Sequence, residues 1–135
     1  MDKRYWKLAW EYSKCSTDTN TKIGSVLVRN GEFIDFGWNR EITYIPGKRG
    51  FVHAEMDAIV GNDCEGAILY CTWACCTDCA KAIYLAGITK VVTSLIDYPK
   101  WNQEIAWGHE ILRDNDVEIE FVKPYGTLLI GGELR

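Results

Sequence analysis

No apolar run in this chain approaches the roughly 18 residues that a membrane span needs. The opening stretch, MDKRYWKLAW, sets charges among its apolar residues, unlike a secretory leader. A basic surplus is also missing: 15 Lys+Arg stand against 19 Asp+Glu, for a net charge of −4. A protein that wraps nucleic acid needs a basic face for phosphates, so the balance speaks against a nucleic-acid or membrane partner. Histidine is scarce, at two, and no repeat, low-complexity tract or linker interrupts the chain. What is present is ordinary for a globular domain: 135 residues, 47% hydrophobic and 25% charged, enough to bury a core without disulfides. The expectation is one cytoplasmic domain over 1–135, with a core to about residue 122 and a tail of open role over 123–135. Its six cysteines are expected reduced or metal-bound. The charge is uneven, +3 over residues 1–50 and −7 over 51–135, which leaves a small anion a basic corner in the first half.

Hydrophobic periodicity divides the chain into alternating elements. Asp2 can cap a first helix in which Tyr5, Leu8, Ala9 and Tyr12 recur at helical spacing, ending near Cys15. Ile23 to Arg29 and Glu32 to Trp38 read as strands joined by Asn30-Gly31, a pair that suits a type I′ hairpin turn. Residues 39–52 read as a loop broken by Pro46-Gly47 and Gly50. A short helix from His53 to Val60 is expected to face the core with Met56, Ile59 and Val60. Ala67 to Cys71 is a strand, Cys76 to Ala86 a helix closed by Gly87, and Lys90 to Ser94 a strand. Trp101 to Arg113 is a helix with Ile105, Ile111 and Leu112 toward the core, and Glu118 to Val122 a last strand. The order predicts an α/β fold: a mixed sheet with an antiparallel hairpin edge, parallel crossovers and helices on both faces. In the tail, Leu128-Leu129-Ile130 can dock on the body or on a neighbour.

Two clusters carry chemistry, His53-Ala54-Glu55 and Cys76-Thr77-Asp78-Cys79, each opening a predicted helix. Cys76 and Cys79 share a face of the first turn, where unpaired N–H groups favour thiolates. With His53 they make three ligands for Zn²⁺, and three protein ligands is the catalytic pattern, which keeps a fourth position for water. His109 lies far off, on a polar stretch of the last helix. Glu55 and His53 both approach one metal only if His53 occupies the cap, with non-helical backbone. H-x-E followed by C-x-x-C is the signature of zinc nucleoside and nucleobase deaminases, in which the glutamate moves protons and is not a ligand. A structural zinc module is the alternative; it would want a fourth protein ligand, for which Cys75 or Cys71 is available.

HAEMDAI (53–59) and LYCTWACCTDCAKAIYLAGITKVV (69–92) resemble the cytidine deaminase superfamily, most closely the phage-type deoxycytidylate (dCMP) deaminases; KIGSVLV (22–28) and FGWN (36–39) extend the match. The resemblance implies a three-layer α/β/α cytidine deaminase-like fold with a five-stranded mixed sheet. It implies Zn²⁺ on His53, Cys76 and Cys79, with Glu55 as the catalytic proton shuttle. It places Asn39 on the sugar hydroxyl, the Ala54 N–H on the pyrimidine carbonyl and Tyr98 near the sugar or phosphate. The implied reaction is hydrolysis of dCMP to dUMP and ammonia, in the host cytoplasm if the gene is a phage's. Relatives of this branch are commonly hexamers activated by dCTP and inhibited by dTTP, with Mg²⁺ on the effector phosphates. Gly37 and Trp38 resemble part of the regulatory region, and Arg40, Lys48 and Arg49 are candidates for binding phosphate of substrate or effector.

Three positions depart from that pattern. Cys75 stands where proline usually precedes the first metal cysteine, making Cys75/Cys79 a rival ligand pair. Asp57 replaces a common Asn. Only 13 residues separate Asn39 from His53, too few for a second zinc. Gly37-Trp38-Asn39-Arg40 also resembles the tRNA adenosine deaminases, which the acidic second half disfavours. Turnover of dCTP or of a free nucleoside is a further alternative.

Overall fold

The computed structural model describes residues 1–19, 21–45, 48–94 and 101–124, with the backbone alone over 43–45 and 48–49. A first helix, α1 (Lys3–Ser13), starts where Asp2 accepts the Arg4 N–H at 2.9 Å, the capping its sequence calls for. Strands β1 (Gly24–Arg29) and β2 (Glu32–Trp38) form the expected hairpin. Asn30 and Gly31 both take positive φ, 53° and 77°, as a two-residue turn of this kind requires. Then come β3 (Arg40–Ile45), β4 (Lys48–Val52), α2 (Ala54–Ile59), β5 (Ile68–Cys71), α3 (Thr77–Leu85), β6 (Lys90–Thr93), α4 (Asn102–Asp114) and β7 (Glu118–Phe121).

Five strands form one sheet in the order β2-β1-β5-β6-β7. The β1 pairings are antiparallel, while β5–β6 and β6–β7 are parallel. Alternation along the strands sorts their side chains into two cores. Val26, Val28, Tyr70 and Val92 face α1 and pack with Trp6, Ala9 and Trp10. Leu27, Leu69 and Val91 face the other way, among Ala58, Ala80, Ile83 and Leu112 from α2, α3 and α4. The result is the three-layer α/β/α architecture with a mixed five-stranded sheet. No helix among the described residues is long and apolar enough to cross a membrane.

Four local expectations are corrected. Residues 39–52 are not a loop: β3 and β4 pair antiparallel as a separate two-stranded sheet. The β-forming run Ile42-Thr43-Tyr44-Ile45 outweighs the breaking signal, and Gly50 itself pairs with Ile42 inside the ladder. Of the expected α1 residues, Ala9 is buried and Tyr5, Leu8 and Tyr12 pack half-buried at the edge of the core. The fully buried stripe, Trp6, Ala9, Trp10 and Ser13, is turned by about one residue so that two large indoles leave water. In α2, Ile59 faces the core and Met56 packs against it as expected, but Val60 is 68% exposed and Ala58 is buried in its stead, because the helix ends at Ile59. His109 is buried, at 7% exposure, with its ring edge-on to Phe121. Tyr98, the Pro46-Gly47 pair and residues 125–135 lie outside the described residues.

Candidate active site

The two chemical motifs meet at the ends of the central strands, where open α/β sheets commonly place their sites. Two small residues seat the first motif. Ser25 of β1 pairs with Gly37 of β2, and the Ser25 hydroxyl donates to the Ala54 carbonyl at 2.6 Å. A Cβ on Gly37 would collide with that same carbonyl and lie 2.9 Å from Ala58 N, so α2 can rest on the sheet only because position 37 carries no side chain. Gly37, expected in an effector region, thus has a packing role of its own.

His53 is the N-cap of α2, with extended backbone (φ −77°, ψ 150°), and Glu55 sits in the first turn. This is the non-helical geometry that lets both side chains approach one point. Cys76 is the N-cap of α3 (φ −74°, ψ 175°), and its Sγ accepts the Cys79 N–H at 3.5 Å. His53 Nδ1 lies 3.3 Å from Cys79 Sγ and 3.5 Å from Cys76 Sγ, and the three ligand atoms fall within 4.8 Å of one another. Tetrahedral zinc with its usual bond lengths sets N···S edges at about 3.6 Å, so these residues fit the ion. No other group of three ligands of this kind occurs among the described residues. Cys75 is not part of it: its thiol is buried and pushed up by desolvation.

The three groups titrate as one coupled set, with the hydrogen bond to Cys76 pushing the Cys79 thiol up. Cys76 is drawn down to about 4, first by the hydrogen bond from the Cys79 thiol and then by His53. The Cys76 thiolate in turn raises His53 to about 9. Burial pushes the Glu55 carboxyl up, the direction in which desolvation moves any carboxylate.

A cavity of about 320 Å³ opens beside these groups, lined by His53, Glu55 and Cys76 together with Asn39. Residues that sequence reasoning did not single out complete it: Trp73 from the loop after β5, Phe51 of β4, Asp18 and Thr21 from the segment after α1, and Trp101, Glu104 and Ile105 from the start of α4. Trp73 had a signal, its place between a strand end and the metal helix; the α4 residues had none beyond helical periodicity. Asn39 is a staple as well as a wall: its Oδ1 accepts Ile23 N–H and its Nδ2 donates to the Thr21 carbonyl, both at 2.8 Å.

The remaining expected residues stand apart from this cavity. Ala54 is fully buried as the first residue of α2. Arg40 bonds Asp57 at 2.8 Å, and the same carboxylate accepts the Trp38 N–H at 3.3 Å. Arg40 and Asp57 line a second, open depression on the outer side of His53. Lys48 and Arg49 begin β4, and their side chains lie outside the described part.

A protein family, the cytidine and deoxycytidylate deaminase zinc-binding region, matches residues 1–95. The chain belongs to this family. Its fold is similar to that of the dCMP deaminase from the cyanophage S-TIM5, solved in complex with dCMP and dUMP, with a TM-score of 0.73 and 26% identity over 89% of this chain and 95% of the other. It is 36% identical to the tRNA-specific adenosine deaminase of Bacillus subtilis over 72% of this chain and 63% of that protein. It is 38% identical to the deoxycytidylate deaminase of enterobacteria phage T4, over half of this chain and 36% of the phage enzyme. The chain therefore spans about a third to two thirds of these two curated relatives. Family and ligand cluster together support Zn²⁺ as the metal.

Proposed function

We propose that this protein is a single-domain, cytoplasmic zinc-dependent deaminase that hydrolyses dCMP to dUMP and ammonia. The observation that carries the reading is the buried Glu55 at the floor of a nucleotide-sized cavity, beside a three-residue zinc ligand set. Likeness to the cyanophage enzyme with bound dCMP and dUMP, extending over nearly the whole of both chains, supports the choice of substrate. Zinc held by His53, Cys76 and Cys79 would supply a Lewis acid and a water of lowered pKa as nucleophile. Glu55 accepts one proton from the attacking water and delivers it to N3 of the cytosine. It then takes the second from the new C4 hydroxyl and gives it to the amino group, which leaves as ammonia as the C4 carbonyl forms. The Ala54 N–H is assigned to the pyrimidine carbonyl, Asn39 holds the wall beside the sugar, and Trp73 offers an aromatic face to the base. Tyr98, Lys48 and Arg49 are assigned to the phosphate end.

Control by dCTP and dTTP, with Mg²⁺ on their phosphates, and assembly into a hexamer belong to the same reading. Gly37, Trp38 and Arg40 are its effector-side residues. A second reading, adenosine deamination in tRNA, is favoured by the identity to the Bacillus subtilis enzyme and disfavoured by the acidic balance. Purified zinc-loaded protein offered dCMP, dCTP, deoxycytidine, cytidine and a tRNA anticodon hairpin separates them. The expected result is uracil product from dCMP at the highest kcat/KM; inosine in the RNA alone would overturn the proposal. Zinc bound without turnover of any of the five would leave a structural zinc module.

A further inference from the structure

Helix α4 lies across the metal loop with a single stripe. Trp101, Glu104 and Ile105 line the cavity and Gly108 touches the Cys75 carbonyl, the i, i+3, i+4, i+7 pattern of one helical face. Glu104 is its polar member. Its Oε1 accepts both the Thr77 hydroxyl, at 2.6 Å, and the Thr77 N–H, at 3.2 Å. These bonds hold the carboxyl below the usual range, so at neutral pH it is an anion that can only accept. Both bonds converge on one oxygen, and no bond to Oε2 occurs among the described residues.

Depth within the cavity decides which part of a nucleotide meets that oxygen. Glu55 and Trp73 are buried, while Glu104 is half-buried and Trp101 exposed. The cytosine amino group must reach Glu55, so the sugar lies toward the α4 rim. On the sugar of dCMP the 2′ carbon bears no hydroxyl and the 5′ oxygen is esterified, which leaves the 3′-hydroxyl as the single donor. Asn39, to which the family resemblance gives that hydroxyl, is pinned to the main chain at Thr21 and Ile23 by one N–H and one lone pair of its amide, which leaves one of each.

We infer that Glu104 accepts the 3′-hydroxyl of the substrate's deoxyribose and is a specificity-determining residue of this site. Its negative charge directs the 5′-phosphate away from α4. The inference rests on the deamination reading above and adds to it the residue that reads the sugar.

The test compares dCMP with 2′,3′-dideoxy-CMP, and deoxycytidine with 2′,3′-dideoxycytidine, on zinc-loaded wild type, Glu104→Ala and Glu104→Gln. A hydrogen bond to a charged group changes binding on the order of 10- to 100-fold, and wild type should prefer the 3′-hydroxyl substrate by that factor in kcat/KM. Glu104→Ala should bring the ratio close to one, by losing activity on the hydroxylated substrate alone. A glutamate that merely holds Thr77 would lower both substrates together and leave the ratio unchanged, which would overturn the inference. Glu104→Gln keeps an oxygen for Thr77 and should cut the ratio at least about threefold. If the alanine variant does not fold, a wild-type ratio in the glutamine variant overturns the inference equally. Wild type that turns over none of the four cytosine substrates would instead bring down the deamination reading itself, and this inference with it.

Discussion

The α-carbon of Gly108 in α4 rests against the main-chain carbonyl of Cys75: a Cβ at position 108 would stand 2.5 Å from that oxygen and 3.2 Å from the carbonyl oxygen of Cys76. The loop that presents the metal ligand Cys76 is thus clamped by backbone contact from a later helix. Gly108→Ala should force α4 and the loop apart, with a stability loss of about 1–3 kcal/mol. Thermal unfolding and zinc stoichiometry on the same sample check it. An alanine variant that melts and holds zinc like wild type would mean the contact relaxes freely.

Glu55→Gln should retain fold and zinc while losing deaminase activity by about 10²–10⁴-fold or more, since an amide cannot shuttle the proton. Metal content by absorption spectroscopy and kcat on dCMP, measured together, separate this from loss of the ion. A variant that drops its zinc would make Glu55 a ligand.

Zinc should depend on Cys76 and Cys79 and not on Cys75. Cys76→Ala should lower zinc stoichiometry and activity in parallel, whereas Cys75→Ala, which removes a buried neutral thiol, should keep about one zinc per chain. Chelation should abolish activity, and added Zn²⁺ should restore it. Loss of metal from the Cys75 variant alone would move the site.

Arg40 is already neutralised by Asp57, so Arg40→Ala should change the preference for dCMP over deoxycytidine by less than about threefold, in line with a partly exposed ion pair. A collapse of that preference in steady-state kinetics would make the guanidinium a phosphate anchor despite its partner.

His109 supplies a pH dependence. Burial depresses its pKa, with Arg113 adding to the effect, and its Nε2 finds no hydrogen-bond partner among the described residues. The unfolded chain therefore takes up this proton more readily than the folded one. Stability is fully present above the unfolded value, near 6.5, and is lost as pH falls through the folded pKa. His109→Leu should flatten the fall in Tm between about pH 7 and pH 5; an unchanged slope would assign the effect to another group.

The sequence was most legible where short-range rules act. Asn30-Gly31 announced its turn because two successive positive φ values suit few other residues, and His53, Glu55, Cys76 and Cys79 were readable because helix starts and ligand spacing are local. The β3–β4 hairpin was hidden by glycine and proline, whose breaking signal masked the β-forming run beside them. The tilt of α1 could not be seen, since Tyr5, Trp6, Leu8 and Trp10 offer two apolar stripes and only the sheet's shape chooses between them. Glu104 and Trp101 were invisible as site residues for the same reason: their place depends on how α4 crosses the chain at Cys75, a contact across some thirty residues of sequence.

The family match ends at residue 95, and α4 begins at Asn102. The candidate metal ligands and Glu55 lie within the matched stretch, while one wall of their cavity, Trp101, Glu104 and Ile105, comes from beyond it. A change in how α4 crosses the chain would therefore reshape the cavity without altering a single ligand.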